Sequence, residues 1–151
     1  MIFREATEKD LSAIIEMIAD DDIGKTRDHF KTPLPIEYLK AFKIITTNTY
    51  QELIVVENEN ATIIGTLQLS FNQYLTYKGG LRAEIEAVRI KTGFRGMGYG
   101  NAMFKWAINR AKERNAHILQ LTTDNRRPKA LKFYLALGFK ASHQGMKLDL
   151  K

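Results

Sequence analysis

The chain has 151 residues, enough for one ordinary domain spanning 1–151 that buries a core without a metal or a disulfide. With 44% apolar and 26% charged residues it reads as a folded globular protein, and the lack of cysteine excludes a disulfide scaffold, a Cys-ligated metal centre and a cysteine nucleophile. The net charge of +6 is uneven: residues 1–75 hold 7 Lys/Arg against 12 Asp/Glu and residues 76–151 hold 16 against 5, which points the second half at an anion.

Residues 2–6 read as a first strand. Thr7 stands where a helix N-cap belongs, with Asp10 three positions on, and Leu11, Ile14, Ile15 and Ile18 recur at helical spacing, so residues 7–19 form an amphipathic helix. The run Asp20-Asp21-Asp22-Ile23-Gly24 ends it. After Pro33 and Pro35 a second helix carries Tyr38, Leu39, Phe42 and Ile45 on one side. Residues 52–57 are a strand. The next strand alternates strictly (Ile63, Gly65, Leu67, Leu69, Phe71), so the two make a hairpin turning at 57–60. Residues 72–80 form a loop, and 82–91 a fourth strand.

A glycine-rich segment, Gly93 to Gly100, then opens a helix to about Asn115, apolar over much of its girth and expected to be largely buried. Residues 117–123 are a fifth strand. Pro128 starts a helix over 128–137, and Gly138 stops it. Residues 139–142 and 146–150 close the chain as a hairpin. The expected fold is α/β with a mixed, mostly antiparallel sheet of about seven strands and four helices, in the order β-α-α-β-β-β-α-β-α-β-β. His29, His117 and His143 have no metal-ligand spacing, so no metal is expected. No stretch reaches the roughly 18 apolar residues that cross a bilayer, and the start lacks a signal pattern, so a cytoplasmic protein with no membrane partner is expected.

The three glycines at 96, 98 and 100 are the strongest local signal. Glycine lets the backbone turn tightly and approach a ligand, and a helix start offers free N–H groups and the positive end of a dipole. Together these make a phosphate site. The dinucleotide fingerprint fails because Asn101 stands where its third glycine belongs. Gly24-Lys25-Thr26 imitates a Walker ending, but Ala19 replaces the first glycine and a helix precedes it.

Arg95-Gly96-Met97-Gly98-Tyr99-Gly100 resembles the Arg/Gln-x-x-Gly-x-Gly/Ala loop of the GNAT superfamily of N-acetyltransferases. Ala130-Leu131-Lys132-Phe133-Tyr134 to Gly138-Phe139 is similar to that family's second signature, Ala-x-x-Phe-Tyr-x-x-x-Gly-Phe. The resemblance implies that acetyl-CoA is the cosubstrate. Its pyrophosphate would rest on the segment from Arg95 to Asn101 through the N–H groups of Gly96, Met97, Gly98, Tyr99 and Gly100. Its pantetheine arm would pair with the fourth strand near Val88 and Ile90. Tyr134 would protonate the leaving thiolate. Where the family often has Asn, three residues before Ala130, this chain has Arg127. Asn125 lies two residues earlier, and Arg126, Arg127, Lys129 and Lys132 are further candidates for the cofactor's phosphates.

Acetyl transfer to an amine needs a proton acceptor, a donor for the thioester oxygen and an acid for the thiolate. Glu86 is the candidate base, placed by simple alternation on the same face as Val88; Glu84 shares that face and is the reserve, or a water mediates. The candidate oxyanion donor is a main-chain N–H of the fourth strand near Val88. In this family the connection of the first two helices belongs to the acceptor side; here it carries Asp21 and Asp22, which would draw a cationic amine. The reading is direct transfer to a primary amine of a small molecule, with a homodimer open. The alternatives are a non-catalytic acyl-CoA sensor on the same fold, or a peptide or protein amine as acceptor. A nucleic-acid module is disfavoured, because no RNP or helix-turn-helix signature accompanies the basic half.

Overall fold

The computed structural model describes residues 1–21, 24–26 and 28–150. One five-stranded sheet carries the fold, in spatial order β1-β2-β3-β4-β5: β1 Ile2–Glu5, β2 Gln51–Glu57, β3 Ile63–Gln73, β4 Leu81–Ile90 and β5 Ala116–Gln120. The first four strands are antiparallel neighbours; β5 returns parallel to β4 after a helical crossover. The helices are α1 Leu11–Ala19, α2 Ile36–Thr47, α3 Thr76–Gly79, α4 Tyr99–Glu113 and α5 Pro128–Ala136. No helix among the described residues is long and apolar enough to cross a membrane.

Alternation along β2 builds two cores. Leu53 and Val55 face α1 and α2, meeting Leu11, Ile14, Ile15 and Phe42. Ile54 and Val56 face the other way, toward Met103, Phe104, Ala107 and Ala111 of α4. The sheet is thus covered on both faces, as period-2 strands between two amphipathic helical layers require. α4 buries one face only, a narrower contact than its apolar composition suggests. Two polar clasps join the layers. Buried Glu52 accepts from Arg110 Nε and Nη2 (2.9 and 2.8 Å) and from Arg114 Nη1 (2.9 Å), tying β2 to α4. Asp10 accepts from Arg4 and from the Thr7 N–H at 2.7 Å, the half of a capping box that the spacing predicts. Phe3 of β1 stacks on Trp106 of α4 with centroids 5.0 Å apart and planes 2° from parallel.

Three expectations are corrected. The sheet has five strands, not seven: residues 139–142 and 146–150 form no hairpin. Phe139 still packs on Phe104 and Tyr134, but beyond it Met146, Leu148 and Leu150 are 94, 84 and 88% exposed. An isolated two-stranded ribbon that covers no apolar surface has little to hold it. Among the described residues there are five helices, not four, because α3 is a single turn with Tyr77 and Lys78 at φ of 53° and 57°, too short for any periodicity. The helix expected over 7–19 opens with a 3-10 turn at Glu8–Asp10, which passes directly into α1.

Candidate active site

The site begins where two parallel strands part. β4 and β5 pair from Leu81 with Ala116 to Glu84 with Gln120, and there the pairing stops. β4 continues to Ile90 with no strand on that side. Along it Val88 O accepts from Arg89 Nη1 at 2.9 Å and Ile90 O from Arg95 Nε at 3.1 Å; a strand edge without a neighbouring strand is the arrangement that accepts an extended ligand. The fifth strand ends at Gln120, short of Thr123, because it loses its partner at this divergence.

A bulge sets what β4 presents. Gln68 lies opposite Glu86 and Thr66 opposite Arg89, so Leu67 faces both Ala87 and Val88. Ala87 takes a φ of 50° to make room. The extra residue reverses the alternation downstream. Ala83, Ile85, Val88 and Ile90 therefore pack toward the α4 core, while Glu84, Glu86 and Arg89 share the face carrying α1 and α2. The expected common face of Glu86 and Val88 is corrected accordingly. Glu84 and Glu86 do share a face, Glu84 half-buried and Glu86 exposed.

Between β4 and α4 the chain turns through the glycine loop. Phe94 N–H donates to Lys91 O at 3.0 Å, and Gly96 and Gly98 adopt φ of 80° and 84°, the left-handed region that glycine enters freely. A Cβ at either position would meet no atom within 4 Å, so the loop's outer side is open. Ala102 N–H to Gly98 O, at 3.3 Å, is the first helical bond. The N–H groups of Tyr99, Gly100 and Asn101 belong to the first turn, which has no intrahelical acceptor. Among the described residues, no hydrogen bond within the protein takes those of Gly96, Met97 or Gly98. Met97 and Asn101 are exposed, and Tyr99 is half-buried against Phe94. Arg95 turns back: its guanidinium donates to Ile90 O at 3.1 Å and to Asp20 O at 3.0 Å, while Thr92 Oγ1 donates to the Asp20 carboxylate. The loop is thereby fastened to the end of α1.

Tyr134 lies on α5, its ring among Phe104, Phe133 and Phe139. Burial pushes its hydroxyl above the usual tyrosine range, while the charges of Arg127 and Arg89 pull the other way. Both guanidinium groups meet Asp21. Arg127 Nη2 donates to its carboxylate, Arg89 Nη2 lies 3.5 Å from it, and Gly24 N–H donates at 3.0 Å. Burial raises the Asp21 pKa, but the Gly24 N–H and the two arginines outweigh it and hold the carboxyl below the ordinary range. Asp22 falls outside the described residues. Asn125 and Lys129 are exposed near the start of α5, and Arg126 turns to Asp124 at 2.8 Å.

Tyr134, Phe94 and Tyr99 of the glycine loop, and Val88 and Ile90 at the outer end of β4 all pack against the α4 core, while Glu84 and Glu86 lie on the opposite face of that strand. Arg89 was missing from the sequence reading. β4 carries two cations, Arg82 and Arg89, and the side Arg89 takes could not be read without the bulge.

Residues 15–139 match the model of the acetyltransferase (GNAT) family. The aminoalkylphosphonate N-acetyltransferase of Salmonella typhimurium is 25% identical over 145 residues, covering 93% of this chain and 85% of that one. Among solved structures, one from Bacillus halodurans C-125 described as a transcriptional regulator superposes with a TM-score of 0.95 at 50% identity over 99% of both chains. The glucosamine-6-phosphate N-acetyltransferase of Arabidopsis thaliana shares the fold, with a TM-score of 0.79 at 18% identity over 99% of this chain and 98% of that one. With the family model covering most of its length, this chain belongs to the GNAT acetyltransferase family and is an N-acetyltransferase enzyme.

Proposed function

We propose that the protein is a cytoplasmic enzyme that moves an acetyl group from acetyl-CoA to the primary amine of a small molecule, by direct transfer in a ternary complex. The open amides of residues 96–101 beside an unpaired stretch of β4 carry this reading. The loop would hold the pyrophosphate and the β4 edge the pantetheine arm near Val88 and Ile90, which aims the thioester into the cleft. Asn125 and Lys129 would meet the cofactor's outer phosphates.

The chemistry then needs three groups. The amine nitrogen attacks the acetyl carbon, and its proton passes to Glu86, directly or through a water, with Glu84 in reserve. A main-chain N–H of β4 near Val88 steadies the oxygen as charge develops. The carbon–sulfur bond breaks, and the Tyr134 hydroxyl gives its proton to the thiolate, then regains one from solvent. A hydroxyl held protonated by burial suits that role.

An acetyl-CoA-dependent amine panel read by mass detection tests the reaction; the expected result is at least one acetylated primary amine. Tyr134→Phe is expected to lower kcat by about 100-fold with the Kd for acetyl-CoA changed by less than about twofold. Unchanged turnover removes Tyr134 from the mechanism. No uptake of coenzyme A by calorimetry overturns the whole reading.

A further inference from the structure

Three charged side chains from distant parts of the chain converge just past the end of α1. Asp21 follows α1, Arg89 sits on β4 just past the bulge, and Arg127 is the N-cap of α5. Their side chains are only 19, 14 and 31% exposed, so this is a built site, not a solvated surface pair. A carboxylate lodged between two guanidinium groups marks a position shaped for an oxoanion, because the planar forks of arginine match carboxylate and phosphonate oxygens.

Its place relative to Glu86 gives it a use. Arg89 and Glu86 share one face of β4, opposite Thr66 and Gln68, which are two residues apart on β3. Two strand residues span about 7 Å. A short alkyl chain with an amine at one end and an oxoanion at the other bridges such a span. An amine without an anion would leave both guanidinium groups on Asp21 and gain no anchor.

We propose that Arg89 and Arg127 form an oxoanion subsite for the acceptor, which is therefore a short amine bearing a phosphonate, phosphate or carboxylate. Its anion takes the position held by the Asp21 carboxylate and its nitrogen points to Glu86. The direction of the nitrogen rests on the transferase reading; the anion subsite does not.

The test compares 2-aminoethylphosphonate, phosphoethanolamine and β-alanine with propylamine and 1,3-diaminopropane, all with acetyl-CoA and the full chain. At least one of the first three is expected to exceed propylamine in kcat/KM by about 100-fold or more, and their order tells which oxoanion the site prefers. Arg127→Gln and Arg89→Gln are each expected to raise KM for that acceptor about tenfold, with KM for acetyl-CoA changed by less than about twofold and melting temperatures checking the fold. Arg127→Lys, which keeps the charge without the fork, is expected to recover part of the loss.

Equal or faster turnover of propylamine or the diamine overturns the proposal. So does an equal rise in KM for acetyl-CoA, which would give the arginines to the cofactor's phosphates. Calorimetry of the three anionic amines against the coenzyme A-loaded protein separates the two readings. Binding that Arg127→Gln weakens about tenfold, without acetylation of any amine, keeps the subsite and sinks the transferase. Absence of binding by all three sinks the subsite.

Discussion

Asp10 shows how one side chain acts on stability. Arg4 donates to its carboxylate from two nitrogens, and the Thr7 N–H and hydroxyl donate to the same group. The Arg4 hydrogen bonds, against a burial cost and with help from Thr7, hold its pKa at about 2, down from 3.8. A depressed carboxylate stabilises the fold above its unfolded pKa and loses that contribution as pH falls through the folded value. Asp10→Asn is therefore expected to cost about 2 kcal/mol at pH 7 by urea unfolding, with the mutant and wild-type curves converging near pH 2. Gly98 answers to conformation instead. Ala at its φ of 84° costs about 1 kcal/mol, and the added methyl faces the open side of the loop. Gly98→Ala is expected to show that loss on melting together with weaker coenzyme A binding. Both residues were legible in the sequence: a cap signal and an alternating glycine run are local. Arg89 was not, since which face it takes depends on a residue two positions earlier.

At the scale of elements, the β4 bulge orders the site. Because Ala87 is the extra residue of the bulge, removing it turns no side chain over: Val88 and Ile90 stay toward α4 and Arg89 toward α1. That deletion is expected to leave a folded protein that still binds coenzyme A, and Ala87→Gly, which accepts a φ of 50° without the strain of a side chain, should bind as wild type. Calorimetry and thermal melts of the two separate the effect of the extra residue from that of its side chain. The β2–β3 hairpin was plain in the sequence because its polar and apolar residues alternate without a break. The bulge was hidden, since Ile85, Ala87, Val88 and Ile90 read as one apolar run in either register. The closing hairpin was expected around the turn at Gln144-Gly145, but Met146, Leu148 and Leu150 have no surface to cover. Periodicity reports which residues prefer burial, not whether a partner layer is there.

For the molecule as a whole, charge is partitioned along with architecture. The acidic first half supplies β1 to β3 and the helices of one face; the basic second half supplies β4, the loop, and the helices flanking the cleft. Long-range attraction of a polyanionic cosubstrate by that half is screened by salt. Coenzyme A affinity is expected to fall by about threefold to tenfold between low and half-molar sodium chloride in calorimetry, and a flat profile would leave the amides alone to account for binding. The strand–loop–helix order around the glycine loop followed from the sequence. The parting of β4 from β5 did not, because it is a relation between strands far apart in the chain.

The stacked Phe3 and Trp106 join the first strand to the middle of α4, two turns beyond the glycine loop. Trp106 is the sole tryptophan. Intrinsic fluorescence excited at the indole will therefore follow the separation of the chain's first segment from its central helix. It will stay nearly silent while ligands come and go at the cleft, so emission supplies an optical record of unfolding uncontaminated by titration of the active centre.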